Sequence, residues 1–218
     1  MGKKFVASYS GGKDSALAIH KAIDEGHELI ALITTYDEDA GRSWSHGMPK
    51  EILERVGEAL GVPAWSIETT MSAYAQDFTA ALKRAKEFGA QGCVFGDTDI
   101  EGHLHWGEER CQEAGIEAIF PLWGKDRKDV VYDMINQGFI ATINVIDTKQ
   151  LSDRFLGKIL TKEVVDEIAA TGADICGENG EYHTFASDGP IFKHPVDFSL
   201  GDQMMRDDYA ILPFKVDH

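Results

Sequence analysis

Residues 10–15 read Ser-Gly-Gly-Lys-Asp-Ser, a small and flexible segment that holds a single lysine. Glycines let the backbone approach an anion closely, lysine adds a mobile positive charge, and serine hydroxyls can donate hydrogen bonds. If this turn joins a parallel strand to a helix, its backbone N–H groups also lie at the positive end of the helix. The residues predicted to bind phosphate are Ser10, Gly11, Gly12, Lys13, Asp14 and Ser15.

Asp14 is the unusual member of this segment, because a carboxylate beside bound phosphates would repel them. It either braces the loop through backbone hydrogen bonds or helps to hold Mg²⁺, and the residues leave both roles open. The plainer interpretation of the whole segment is a glycine turn with a capping aspartate. Its position directly after the first predicted strand favours phosphate binding. The segment is neither the G-x-x-x-x-G-K-[ST] loop nor the G-x-G-x-x-G fingerprint.

Gly96 and Asp97 follow a predicted buried strand, and ligands of open α/β sheets bind at the carboxyl ends of such strands. Gly96 permits close approach of the backbone and is a predicted substrate-binding residue, and Asp97 joins Lys13 and Asp14 as a predicted catalytic residue. The alternative for Asp97 is an Asx-turn or a helix cap. His46 lies on the loop after the second predicted strand, where it either contacts nucleotide or acceptor or is a solvated loop histidine.

Residues 177–185 read Gly-Glu-Asn-Gly-Glu-Tyr-His-Thr-Phe and place two carboxylates, a phenol and an imidazole in one short segment. Such a set suits cation binding or substrate orientation, although the residues alone equally allow a polar turn. The residues predicted to bind substrate here are Glu178, Asn179, Gly180, Glu181, Tyr182, His183 and Thr184. His103 and His105 would face the same way on a strand, but no further metal ligand is evident, so a surface or capping role is favoured.

The elements that must position these residues alternate between short apolar runs and stretches of helical period as far as residue 123, which predicts parallel βαβ units. The predicted strands span residues 5–9, 29–35, 64–67, 93–95 and 116–120. The rhythm then changes to a helix near 130–135, a strand at 139–146, a helix near 164–168 and two extended segments within 190–216. We therefore expect an α/β fold with a phosphate-binding domain at 1–123 and a smaller α+β domain at 124–218.

Composition restricts the partners of the 218-residue chain. It has 37 acidic against 21 basic residues and a formal net charge of −16, which disfavours non-specific binding to polyanions. The three cysteines contain no C-x-x-C pair and are expected to be buried reduced thiols. No long apolar stretch follows the N-terminus, so we expect a cytoplasmic protein without a signal peptide or membrane span. Small cytosolic enzymes often form symmetric dimers, and the sequence leaves a homodimer open.

The segment Ser-Gly-Gly-Lys-Asp-Ser resembles the PP-loop of N-type ATP pyrophosphatases, the adenine nucleotide alpha hydrolase-like proteins with a Rossmann-like, HUP-type fold. Residues 177–185 narrow the resemblance to the diphthine-ammonia ligase family, which has a similar Asp-Gly-Pro-Ile-Phe segment at 188–192. Residues 94–97 and 121–123 also fall where that family has similar segments, so the likeness covers nearly the whole chain. Asn179 departs from the pattern, since this position is often glycine.

The resemblance implies an ATP-dependent ligase with its cleft between an ATP domain and a smaller domain. ATP and Mg²⁺ would adenylate a substrate carboxylate with release of pyrophosphate, and ammonia would then displace AMP to give an amide. Free ammonium is the simplest donor. Diphthine on elongation factor 2 is the implied acceptor in a eukaryote or archaeon, whereas a bacterial relative would need another substrate. The alternatives are a PP-loop enzyme that adenylates a tRNA base, which the acidic charge disfavours, and a non-catalytic ATP sensor.

Overall fold

The computed structural model describes residues 2–44 and 46–215, so Met1, Ser45 and Val216 of the segments discussed above lie outside the described residues. The first half of the chain builds a six-stranded sheet with four helices. Its strands are β1 (Lys4–Ser8), β2 (Glu28–Asp37), β3 (Arg42–Ser43), β4 (Ala64–Thr69), β5 (Gly92–Val94) and β6 (Glu117–Ile119). Its helices are α1 (Lys13–Asp24), α2 (Lys50–Leu60), α3 (Tyr74–Glu87) and α4 (Glu101–Ala114).

The first sheet is parallel in the order β4-β2-β1-β5-β6, and the short β3 pairs antiparallel with the end of β2. This confirms the predicted Rossmann-like parallel sheet. The strand order reverses between β1 and β5. The loops that follow these two strands therefore lie side by side at the carboxyl edge, where open α/β sheets bind their ligands.

Both faces of the first sheet are covered, because its strands carry apolar side chains at consecutive positions. In β1, Phe5 and Ala7 pack in the core that includes α1 and α2, whereas Val6 belongs to the core that includes α3 and α4. Side chains on a strand alternate between the two faces, so a continuous apolar run is the pattern of a strand buried on both sides. Gly61 ends α2 in the left-handed conformation with φ 73°, as the sequence predicts.

The second half of the chain is the predicted α+β region. It contains α5 (Arg127–Asn136), α6 (Lys162–Ala169) and a four-stranded antiparallel sheet in the order β10-β11-β7-β8. The strands are β7 (Ile140–Asp147), β8 (Tyr182–Asp188), β9 (Ser199–Leu200), β10 (Met204–Arg206), β11 (Tyr209–Ile211) and β12 (Phe214–Lys215). The short β12 pairs with β9 outside this sheet. One apolar core runs from α1 and α2 into the second sheet, so the two halves pack directly.

Two local expectations need correction, and the two histidines of the His-x-His pair take the surface position favoured for them. The polar turn considered for 177–185 ends at Glu181, and a regular strand begins at Tyr182, because tyrosine, threonine and phenylalanine favour extended backbone. His103 and His105 lie on helix α4 and not on a strand, and residues two apart on a helix do not face each other. The two extended segments expected after residue 190 are four short strands.

Further observations concern the cysteines, the helices and the boundary between the two halves. Cys93, Cys111 and Cys176 are all buried and free, as predicted. Among the described residues, no helix combines the length and apolar character needed to cross a bilayer. The division of the chain at 123/124 stays a prediction, with β6 ending at Ile119 and α5 beginning at Arg127.

Candidate active site

The turn at residues 10–15 connects β1 to the first residue of α1, as the sequence predicts. Gly11 has φ 92°, in the left-handed region where a side chain would be strained. Gly12 occupies the N-cap position without a capping side chain. The Ser15 hydroxyl instead donates to the Gly12 carbonyl at 2.9 Å and lies 3.3 Å from the Ser10 hydroxyl. The hydroxyls therefore fold the turn on itself, and both of its glycines are buried.

Strand β8 of the second sheet fastens this turn from the outside. The backbone N–H of Lys13 donates to the Thr184 hydroxyl at 3.1 Å, and the backbone N–H of Ala186 donates to the Gly11 carbonyl at 2.9 Å. Thr184 is thereby brought from 171 residues away to the turn at residues 10–15, which is called the phosphate loop after its predicted ligand. Phosphate bound at this turn would meet a backbone held by both halves of the chain.

Lys13 is buried, with only 5 % of its surface exposed, yet it stays charged. Its Nζ atom donates to Asp14 Oδ2 at 2.7 Å and lies 5.6 Å from the centre of the Tyr182 ring. Burial alone would lower the pKa of Lys13, but the field of Asp14, supported by Cys176, Tyr182 and Glu178, raises the pKa well above its ordinary value. The Lys13 side chain is therefore a buried cation beside the turn.

Asp14, Cys176 and Glu178 form a compact group beside Lys13, with ligand atoms within 4.8 Å of one another. Burial, and then the charge of Asp14, raises the pKa of Glu178. Asp14 Oδ1 is buried and has no hydrogen-bond partner among the described residues. Two carboxylate oxygens suit Mg²⁺, whereas a thiol does not. The group therefore fits Mg²⁺ through Asp14 and Glu178 and leaves Cys176 as a neighbour.

Gly96 follows β5 and packs against the start of α1. A Cβ at this position would lie 2.8 Å from the backbone of Asp14 and Ser15. The close approach that glycine allows is thus taken by the first turn of the helix. Asp97, the next residue, has Oδ1 2.9 Å from His103 Nδ1 on α4. The structure places Gly96 beside the phosphate loop and the Asp97 carboxylate against α4, and their roles stay predictions.

Arg127 is a residue of the site region that the sequence analysis missed. Its guanidinium donates to both Asp99 oxygens at 2.6 and 2.9 Å, to Asp174 at 2.5 Å and to the Asn179 side-chain oxygen at 3.2 Å. Hydrogen bonding to Arg127 lowers the pKa of Asp99. The arginine joins the loop after β5 to the turn before β8. No local pattern reveals it, since its partners lie 28 to 52 residues away.

Glu181 organises the turn that precedes β8 and is itself buried, at 3 % exposure. Its carboxylate accepts from the backbone N–H groups of Asp174 and Asn179 at 3.2 and 3.1 Å and from the Asn179 side chain at 3.0 Å. Gly180 supplies the left-handed residue of the turn, with φ 87°, and Asn179 has no positive φ. Tyr182 donates from its hydroxyl to the Ile175 carbonyl at 2.6 Å. Of the two carboxylates in this turn, Glu181 holds the turn together and Glu178 faces Lys13 and Asp14.

His46 and His183 lie together above the phosphate loop, with ring centres 4.9 Å apart. His46 Nδ1 is 2.9 Å from the Thr184 carbonyl oxygen. Burial, with the neighbouring His183 and Lys13, lowers the pKa of His46 to about 3 against the effect of that hydrogen bond. Burial and Lys13 also lower the pKa of His183. Both rings are therefore neutral at pH 7.

Two cavities adjoin these histidines. The smaller, of about 90 Å³, is lined by Ser10 and by the carboxyl ends of β1 and β2. The larger, of about 430 Å³, lies between β3 and the strands β7 and β11, and His183 and Arg206 are among its lining residues. Ser43, Trp44 and His46 line both cavities. Tyr9 and Trp44 line the smaller cavity, and the Tyr9 hydroxyl and the Trp44 indole N–H are buried without a partner among the described residues.

The comparisons with known proteins agree over most of the chain. Residues 3–118 match the family described as the diphthamide synthase N-terminal domain, and residues 126–215 match the diphthamide synthase C-terminal domain. A diphthine-ammonia ligase of Danio rerio is 26% identical over 234 residues, covering 96% of this chain and 92% of the relative. The one from Mus musculus is 27% identical over 241 residues, with 96% and 88% covered. The Homo sapiens protein is 25% identical over 219 residues, with 88% and 82% covered.

Fold and relatives together define an ATP-dependent ligase of the PP-loop class. The chain belongs to the diphthamide synthase family, which confirms the resemblance seen in its sequence. A solved structure described as a predicted subunit of tRNA methyltransferase from Methanocaldococcus jannaschii covers 88% of this chain and 100% of its own. It aligns with this chain at a TM-score of 0.48 and 17% sequence identity.

Proposed function

We propose that this chain converts a diphthine carboxylate on elongation factor 2 to the amide, with ATP and free ammonium as co-substrates. The observation that carries the proposal is a buried, protonated lysine at a glycine turn, placed where the order of a parallel sheet reverses. The family relatives named diphthine-ammonia ligase support the acceptor and the nitrogen source. Elongation factor 2 works in the cytoplasm, so we place the reaction there.

In the first step, an oxygen of the acceptor carboxylate attacks the α-phosphorus of ATP. The bond from that phosphorus to the pyrophosphate oxygen breaks, and an acyl-adenylate and pyrophosphate result. The N–H groups of the turn and Lys13 stabilise the negative charge that develops on the leaving group. Lys13 exchanges its contact with Asp14 for one with phosphate. Asp14 and Glu178 would hold Mg²⁺, which when bound neutralises charge on the phosphates.

In the second step, the nitrogen of ammonia attacks the acyl carbon. The carbon–oxygen bond to AMP breaks, and the new amide nitrogen loses a proton to water. The smaller cavity takes part of the nucleotide, and the unpartnered donors of Tyr9 and Trp44 are available to its base. The volume of this cavity, about 90 Å³, is smaller than the roughly 300 Å³ at which ligand pockets usually begin, so side chains such as Trp44 must move as nucleotide binds.

The test supplies purified chain with ATP, Mg²⁺, ammonium and elongation factor 2 that carries diphthine. We expect AMP, pyrophosphate and an acceptor whose mass has changed from acid to amide. Lys13→Met keeps the buried methylene volume and removes one charge-assisted contact worth about 1.5 to 3 kcal/mol, so pyrophosphate release should fall roughly 10- to 150-fold. Lys83→Met, on the exposed side of α3, is the matched control. Production of ADP, or full turnover by Lys13→Met, would refute the proposal.

A further inference from the structure

The wall between the two cavities is the place where the acyl carbon must lie if the proposed function holds. Nucleotide phosphates on the turn approach from the smaller cavity, and an acceptor in the larger cavity approaches from the other side. The mixed anhydride formed between them therefore crosses the shared wall. Among the described residues, Ser43, Trp44 and His46 form that wall. The Ser43 hydroxyl already accepts from the Met48 backbone N–H at 2.9 Å and the Trp44 indole can only donate, so His46 offers the acceptor nitrogen for an incoming amine.

Resting on that proposed function, we propose that His46 and His183 form the binding site for the ammonia molecule that attacks the acyl-adenylate. The site takes a small neutral amine and not the ammonium ion. His46 is the main acceptor, and His183 on β8 supplies the second ring from the side of the larger cavity.

The geometry fixes which nitrogen of His46 is available. The Thr184 carbonyl can only accept, so the neutral ring carries its hydrogen on Nδ1 and leaves a lone pair on Nε2. No hydrogen bond to Nε2 is present among residues 2–44 and 46–215. The ring also lies directly on the phosphate loop, because a Cβ on Gly12 would be only 2.6 Å from His46 Cε1. Nε2 is thus an acceptor held next to the reacting phosphate.

The charges around the pair select the neutral form of the nitrogen donor. Lys13 is a buried cation near both rings, and its field disfavours a second cation there. Asp14 acts in the opposite sense on His183, but it pairs with Lys13 at 2.7 Å without nucleotide and would hold Mg²⁺ in the reacting complex. Ammonia that donates one N–H to His46 Nε2 keeps its lone pair free for the acyl carbon. The nitrogen–carbon bond forms, the bond to AMP breaks, and the surplus proton passes to water.

Two substitutions of His46 separate its two nitrogens. In His46→Asn the side-chain amide can still donate to the Thr184 carbonyl, but nothing replaces Nε2. In His46→Gln the amide oxygen can reach the position of Nε2. Pyrophosphate–ATP exchange with diphthine-bearing elongation factor 2, measured without ammonium, reports adenylation. Amide formation against ammonium concentration reports the second step. His105→Asn, an exposed histidine on α4, is the control.

We expect His46→Asn to raise the KM for ammonium roughly 2- to 12-fold, the loss of one neutral hydrogen bond, and to change the exchange rate by a smaller factor. His46→Gln should restore part of the difference, and His105→Asn should behave as wild type. Equal loss of exchange and amide formation would assign His46 to the nucleotide and overturn the proposal. So would an unchanged ammonium KM in both His46→Asn and His183→Asn.

The thermal unfolding midpoint checks that each variant folds. If His46→Asn does not fold, His183→Asn carries the test, because the His183 side chain makes no hydrogen bond to the described residues and its loss should also raise the ammonium KM. If the wild-type chain shows no pyrophosphate–ATP exchange, the proposed function itself is contradicted. If the wild type exchanges but the histidine variants keep its KM for ammonium, only the ammonia site is contradicted.

Discussion

Replacing Gly12 by alanine tests the contact on which the site geometry depends. The backbone at Gly12, with φ −83°, accepts alanine without strain. The new Cβ, however, would lie 2.6 Å from His46 Cε1, far inside the roughly 3.5 Å at which carbon atoms touch. The ring cannot simply turn away, because its Nδ1 is bound to the Thr184 carbonyl at 2.9 Å.

Two routes relieve this clash, and the cheaper one sets the cost. Keeping the ring in place overpacks the site by about 1 to 3 kcal/mol. Releasing it loses a hydrogen bond worth about 0.5 to 1.5 kcal/mol. We therefore expect Gly12→Ala to lower the free energy of unfolding by about 1 kcal/mol, measured by urea denaturation. In a His46→Ala background, the same substitution should cost close to nothing.

A double-mutant cycle gives the decisive measurement. If Gly12→Ala costs the same with and without the His46 ring, the ring does not lie on the phosphate loop, and the reasoning about the ammonia site fails with it. Gly102→Ala provides the matched control, since Gly102 lies within α4 and a Cβ there meets nothing within 4 Å. That change should raise stability by about 0.5 to 1 kcal/mol through helix propensity.

Three further predictions concern acid sensitivity, the arginine link and the cation. Folding lowers the pKa of His46 to about 3 from its ordinary value near 6.5, so below pH 6.5 the unfolded chain binds more protons than the folded one. The free energy of unfolding should therefore fall between pH 7 and pH 5 by at most about 2 kcal/mol for this ring. Urea denaturation of His46→Asn should show a smaller decrease over the same pH range. Arg127→Ala should cost about 1 kcal/mol or less, since the pair is partly exposed, and should speed hydrogen exchange in residues 174–181; Arg127→Lys should not restore protection, because an ammonium cannot hold both loops. Asp14→Asn should raise the Mg²⁺ concentration needed for half-maximal pyrophosphate release, whereas an unchanged Mg²⁺ dependence would remove Asp14 from the cation.

The elements of this fold were predictable because their signals are local. Phe5, Val6 and Ala7 form a continuous apolar run that only a strand covered on both faces can bury, and Gly61 ends a helix where the apolar stripe ends. The position of the turn at residues 10–15 was predictable for the same reason, and its binding of phosphate stays a prediction. His183 was harder to place, since a polar run such as Tyr-His-Thr suits a turn as well as a strand, and only its pairing with β7 decides.

The connections across the site were not predictable from one sequence. Arg127 meets Asp99 and Asp174 only after the chain has folded, and no spacing along the sequence encodes such contacts. Gly96 illustrates a different limit. The sequence correctly indicates a close approach, but the backbone that approaches belongs to α1, which only the packed structure reveals.

Strand β8 explains why the residues of the 178–184 segment act together. Side chains on a strand alternate, so Tyr182 and Thr184 share the face that meets Lys13, and His183 points to the other face, where it lines the larger cavity. One strand thus contacts the phosphate loop and the proposed acceptor site at adjacent positions. A shift of β8 on acceptor binding would move the Thr184 and Ala186 hydrogen bonds that hold the loop backbone. Any movement of β8 would therefore reach the turn directly through these two hydrogen bonds.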